Sequence, residues 1–226
     1  MTKLGVTQFY SFHNSFVCTL IRKLRSNSNG CSKNTIQDNV EEVRDAVKVL
    51  THGDLFQLGK TKVTVSTVAP SPEAFAELKD APCALAWSVH AANDKLRKKL
   101  VPTTKHSMNE LRQALIDALL SRKKRMRTIM LEVALISGVN DGALAAKELA
   151  EFSQVIIDQV PSVKVVVNLI PFNDIGHPTF RTPSIESVRS FQKILSESGI
   201  RALVRTTRGD DEGAACGQLA TKKANK

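Results

Sequence analysis

From Asp38 onward the sequence alternates between two hydrophobic periods, and that alternation restricts the folds open to it. DNVEEVRDAVKVL places Val40, Val43, Val47 and Leu50 at helical spacing behind an Asp-Asn start. KVTVSTV (62–68) is short and β-branched and reads as a strand. A brief helix follows in SPEAFAELKD, then a strand in ALAWSVH (84–90). SMNELRQALIDALLSR is a helix opened by a capping box from Ser107 to Glu110. RTIMLEVALI (127–136) is a strand, and DGALAAKELAEFSQVIIDQV a long helix. KVVVNLIPF (164–172) is a strand. TPSIESVRSFQKILSESG is a helix, with Pro183 near its start and Gly199 past its end. ALVRTTR (202–208) is the last strand.

Five strands separated by helices imply right-handed β-α-β units and a parallel sheet. Such a sheet is either open or part of a barrel. Ser66, Ser88, His90, Asn168, Asn173, Arg205 and Arg208 all fall at or just past strand C-terminal ends. That is where a (β/α) barrel carries its chemistry, and the expected class is therefore α/β, a partial (β/α) barrel. An open sheet would bind ligands on the same face.

Charge narrows the partners. Between Lys95 and Arg127 stand eleven bases and only two acids, which accounts for nearly all of the net charge of +10. Such a field attracts polyanions; the plainer reading is a solvated helix with basic flanks. With one Trp and one Tyr, a stacking platform for single-stranded bases is not expected. No apolar run approaches the roughly 18 residues of a spanning helix, so no membrane partner is expected. Cys18, Cys31, Cys83 and Cys216 are too scattered for a disulfide framework.

Residues 1–37 stand apart. They contain bases but no acid, are rich in Ser and Asn, and offer Phe12, Phe16, Leu20, Ile21 and Leu24 as one helical face. They read either as an organelle transit peptide or as an arbitrary leading segment. Residues 38–222 form the barrel portion, and 223–226 a basic tail.

Several motifs fail on spacing or context. GDLFQLGKT has five residues between Gly53 and Gly59 where a phosphate-binding loop has four, and it precedes a strand. No His or Cys pairing suits a protein-only zinc site, and no G-x-S-x-G elbow occurs. Glu132, inside an otherwise apolar strand, is either a polar group satisfied inside the barrel, the preferred reading, or a site residue. His90 alone would more often be structural. Cys216, flanked by Ala214, Ala215 and Gly217 on the loop after the last strand, is either a nucleophile activated by Arg205 and Arg208 or an ordinary thiol.

ALAWSVHAANDKLRKKLVP, VVNLIPFND and VRTTRGDDEGAACGQLA together resemble the radical-SAM adenine C2-methyltransferases of ribosomal RNA, some of which also act on transfer RNA. The likeness runs from about Asp38 to about Lys222. It implies a radical-SAM type of partial barrel with its first strands missing, and a cytoplasmic enzyme, or a plastid or mitochondrial one if residues 1–37 are a transit peptide. By resemblance, Ser66, Ser88, Val89, His90 and Asn173 bind S-adenosylmethionine, and Cys216 is the catalytic methyl carrier. In the family a [4Fe-4S] cluster generates the radical that moves the methyl group onto adenine. The C-x3-C-x2-C motif that binds that cluster is absent from this chain, as is the Gly-Glu-Pro motif expected just before Asp38. The resemblance thus implies an RNA methyltransferase present as an incomplete chain, or a non-catalytic RNA-binding remnant of one.

Overall fold

The computed structural model describes residues 8–12, 15–19, 40–102, 105–173 and 178–205, the first two stretches as backbone only. Its centre is one seven-stranded sheet whose strands neighbour each other in chain order. They are β1 (Gln8–Phe12), β2 (Ser15–Thr19), β3 (Val63–Thr67), β4 (Ala84–Ser88), β5 (Thr128–Leu135), β6 (Lys164–Pro171) and β7 (Arg201–Val204). Every pairing from β2 to β7 is parallel, and β1 pairs antiparallel with β2. A doubly wound sheet reverses its strand order at a switch point, whereas a barrel winds in one direction. The unreversed order of β3 to β7 is that of a barrel wall.

The helices are α1 (Val40–Thr51), α2 (Glu73–Leu78), α3 (Asp94–Leu100), α4 (Met108–Ser121), α5 (Ala143–Gln159) and α6 (Ile185–Glu197). All but α3 follow from the sequence pattern. The Ser107–Glu110 capping box forms in both directions. Ser184 caps α6, and Gly199 takes φ +76° after it. The short α3 lies inside the basic run and escaped the periodicity reading. Its signal is Asn93, whose side chain accepts from the Leu96 N–H at 2.8 Å.

Alternation along the strands divides the sheet into two faces. In β5, Ile129, Leu131, Val133 and Leu135 are buried while Thr128, Met130, Glu132 and Ala134 are half-buried. The buried set joins Val65, Leu85, Trp87, Val167 and Leu169 in one core with Leu115 and Leu119 of α4, Phe152 and Ile156 of α5, and Phe191 and Leu195 of α6. Trp87 meets Phe75 edge-on at 5.2 Å and Phe152 at 5.6 Å. The helices therefore cover the face carrying the odd-numbered residues of β5, and the other face carries its polar residues.

One expectation is corrected here. Phe12 and Phe16 do not share a helical face: residues 8–12 and 15–19 are strands joined across two residues. The segment is rich in aromatic and β-branched residues that favour strands, and β3 would otherwise present an open edge. The sheet thus extends two strands beyond the five read from the sequence. Among the described residues, no helix is long and apolar enough to cross a membrane.

Candidate functional site

The polar face of the sheet converges on Glu132, the only acidic residue in β3 to β7. Parallel register places Ser88 beside Glu132 and Glu132 beside Asn168. Ser66 Oγ donates to Glu132 Oε2 at 2.7 Å. Ser88 Oγ lies 3.5 Å from the same oxygen, and Asn168 Nδ2 lies 3.5 Å from Oε1. Three strands thus point polar groups at one carboxylate. Ser66 and Ser88, nominated from separate stretches of sequence, meet there. The preferred reading of Glu132 as a polar group satisfied within the barrel holds in part: it has one short bond and two at the limit of hydrogen-bonding distance.

The turn after β4 is built around His90. The Val89 and His90 N–H groups both donate to the Glu132 carbonyl, at 2.9 and 3.2 Å. His90 takes φ +55°, a left-handed conformation uncommon for a residue with a side chain. The turn is held by Asn140, a buried side chain the sequence reading passed over. Asn140 Nδ2 donates to the His90 and Ala134 carbonyls at 2.9 and 2.8 Å, and its Oδ1 accepts from the Ile136 N–H at 2.7 Å. His90 Nδ1 accepts from the Ala134 N–H at 3.1 Å, which leaves the ring proton of the neutral imidazole on Nε2. Burial, and then the Arg97 cation, push the His90 pKa down from 6.5 to about 4.

That shift has a sign. The unfolded imidazole binds a proton below pH 6.5, while the folded one resists it to about pH 4. Stability from neutral His90 is complete above pH 6.5 and is lost as pH falls toward 4, by about 3 kcal/mol in total. His90→Asn keeps a residue that tolerates left-handed backbone and removes the titration. Its melting temperature is expected to fall less than the wild type's between pH 7 and pH 4.5; parallel curves would overturn this account.

Arg97 closes the site from beneath. The sequence groups it with Lys98 and Lys99 as an exposed basic run, yet it is only 1% exposed. Its guanidinium donates to the carbonyls of Ser88 (2.7 Å), Val89 and Val68. It also lies 5.5 Å from the centre of the Trp87 ring. Burial pushes its pKa down to about 10, so it remains a cation at neutral pH. One side chain therefore joins the C-terminal ends of β3 and β4. Arg122 does the same at the opposite strand ends. It is buried and donates to the carbonyls of Leu78, Lys79, Ala81, Cys83 and Met126. Two of the eleven bases in this run, Arg97 and Arg122, are thus internal scaffolding, while Lys95, Lys98, Lys99, Lys105, Lys123, Lys124 and Arg125 are exposed.

Val89 is fully buried, with its N–H bonded to Glu132 and its carbonyl to Arg97. Asn173 stands half-buried two residues past β6. Cys216 lies outside the described residues.

The comparisons agree with this frame. No protein-family model matches the chain. The dual-specificity RNA methyltransferase RlmN of Marinomonas sp. is 42% identical over 182 residues, covering 80% of this chain and 47% of that protein. Its namesake from Vesicomyosocius okutanii is 36% identical, covering 83% and 51%. A radical SAM methyltransferase from Sphaerobacter thermophilus superimposes with a TM-score of 0.68 at 35% identity, over 80% of this chain and 50% of that one. Over these residues the chain is similar to RNA methyltransferases named RlmN and to a radical SAM methyltransferase. It spans about half the length of the curated relatives it matches. A domain of a pyruvate-formate lyase-activating enzyme from Bacteroides vulgatus, at 19% identity and a TM-score of 0.53, shares the fold.

The similarity raises the question of cofactors. The iron–sulfur cluster does not fit this chain. A [4Fe-4S] cluster of the radical-SAM type needs three closely spaced thiolates, and the four cysteines stand at 18, 31, 83 and 216. Cys83 is buried just before β4, at the strand end away from Glu132. Among the described residues, no group of three or more His, Cys, Asp or Glu side chains could hold a metal ion.

Proposed function

We propose that residues 38–222 are the portion of an RNA adenine C2-methyltransferase that binds S-adenosylmethionine and carries the acceptor thiol. The observation that carries this reading is the convergence of Ser66 and Ser88 on Glu132 at the C-terminal ends of neighbouring parallel strands, beside the locked His90 turn. Ser66, Ser88, the Val89–His90 turn and Asn173 would hold the ligand. S-adenosylmethionine, when bound, supplies an electrophilic methyl group. The protein's part would be to supply Cys216 as the thiolate that accepts that methyl group, the sulfonium–carbon bond breaking as the new sulfur–carbon bond forms. Neutral His90 adds no positive charge beside the ligand's sulfonium. Residues 1–37 would be a leading segment whose strands β1 and β2 extend the sheet, and residues 223–226 a basic tail. The scattered cysteines favour a second reading for the chain acting alone, a non-catalytic RNA-binding remnant.

One graft separates the two. Residues 38–222 joined behind the preceding half of the Marinomonas relative should yield 2-methyladenosine in ribosomal RNA, read by mass spectrometry of nucleosides. A folded graft that binds RNA but makes no 2-methyladenosine supports the remnant.

RNA binding should come from the exposed bases only. Lys95, Lys98 and Lys99 belong to α3 beside the strand ends that carry Ser66 and Ser88. Changing all three to Ala is expected to flatten the log–log salt dependence of RNA binding by roughly 2 units. Lys123, Lys124 and Arg125, beside the N-terminal end of β5, should change it little. Equal losses from the two sets would mean diffuse attraction without oriented docking.

A further inference from the structure

We propose that Glu132 is a ligand-binding residue that fixes the hydrogen-bond polarity of this site: it accepts from the donor groups of the bound adenosyl ligand and turns Ser66 and Ser88 into acceptors as well. The proposal rests on the reading that this face binds such a ligand.

A carboxylate only accepts hydrogen bonds, and it has about four lone-pair positions. Among the described residues Glu132 receives one short bond, from Ser66 at 2.7 Å. Its contacts with Ser88 and Asn168, both 3.5 Å, are at the outer limit. Glu132 is half-buried on the face away from the helices, so unused acceptor capacity is turned toward whatever occupies that face. Among the described residues its Oε1 has only the long Asn168 contact. The Ser66 hydroxyl proton is committed to Oε2, which leaves Ser66 Oγ with lone pairs to offer. Ser88, directed at the same oxygen, has the same polarity.

The centre of the face is therefore rich in acceptors. It suits a ligand that turns donors toward Glu132 and keeps any carboxylate of its own away from that side chain. An adenosyl amino acid brings two kinds of donor, ribose hydroxyls and an α-ammonium. Either satisfies Glu132, since the shared chemistry is an O–H or N–H aimed at a carboxylate. Bonds to a charged partner are about twice as strong as neutral ones, so replacing the carboxylate by an amide should cost binding out of proportion to its size.

The test uses the full chain and S-adenosylhomocysteine as probe, measured by calorimetry. Glu132→Gln is isosteric and is expected to weaken binding at least tenfold, with an unchanged melting curve. Glu132→Thr, which suits a strand, should weaken it as much and guards against a local fault in the first variant. Adenosine and methionine as separate probes assign the donor. A loss confined to adenosine marks the ribose hydroxyls, and a loss confined to methionine marks the ammonium. Wild-type affinity in both variants would overturn the role of Glu132 while leaving the site reading intact. A wild-type chain that binds no S-adenosylhomocysteine would overturn the site reading itself, and this proposal with it.

Discussion

Replacing Arg97 with methionine is expected to cost on the order of 3 kcal/mol of stability and to loosen the turn that carries His90. Methionine matches the length of the side chain and leaves no large cavity, so the cost comes from the carbonyls. Those of Val68, Ser88 and Val89 lose a buried donor together. A buried acceptor left without a partner costs roughly 1–3 kcal/mol. Loss of the cation over Trp87 adds to this, and removing a desolvated charge offsets part of it. For a chain of this size the melting temperature should fall by roughly 6–12 °C. Arg97→Lys keeps the charge but loses the planar fork that spans β3 and β4, and should fall between the two. Hydrogen exchange distinguishes a local role from a general one. Protection should drop first at Val89 and His90, whose N–H groups depend on the position of this turn. A melting temperature within 2 °C of wild type would show that solvent or neighbouring groups replace the guanidinium.

Arg97 also shows where the sequence stops being informative. In LRKK, one arginine and two lysines look alike, and a charge run ordinarily faces water. What separates them is a tertiary event: the Arg97 guanidinium reaches the carbonyls of Val68, Ser88 and Val89 at the ends of β3 and β4. No local periodicity encodes that, and the same holds for Arg122 among its basic neighbours. Glu132 was visible as an anomaly within an apolar strand. Its partners Ser66, Ser88 and Asn168 lie 66, 44 and 36 residues away, however, and only the parallel register brings them together. The helices α4, α5 and α6 were legible because long apolar periods agree with their packing, and α4 and α6 also carry side-chain caps. The N-terminal strands were not, because a short run of aromatic residues satisfies helical and strand spacing equally well. The resemblance located the serines and His90 in sequence. The geometry adds the carboxylate, Arg97 and Asn140, which tie the serines and the turn together, and Arg122 at the opposite strand ends.

Cys216→Ala, made in the graft that carries residues 38–222, is expected to abolish methyl transfer, by roughly 1000-fold or more, with the fold intact. The argument is chemical. Methyl transfer through the protein needs a side chain that attacks an alkyl sulfonium and then holds carbon through a thioether. Among ordinary side chains the thiolate combines high nucleophilicity with a pKa near neutrality. Within residues 38–222 the other cysteine is Cys83, which is buried just before β4, at the strand end away from Glu132, with its carbonyl held by Arg122. Cys216→Ser keeps the size of the side chain and should be equally inactive, because its hydroxyl is scarcely ionised at neutral pH. The flanking Ala214, Ala215 and Gly217 give a sequence in which loss of one sulfur removes little packing, so stability should change by less than ~1 kcal/mol. Ligand binding at Ser66, Ser88 and Glu132 should also survive. A graft with alanine at this position that still produced 2-methyladenosine would remove Cys216 from the mechanism. One that lost S-adenosylhomocysteine binding together with activity would recast Cys216 as part of the binding site, with the methyl carrier to be sought elsewhere.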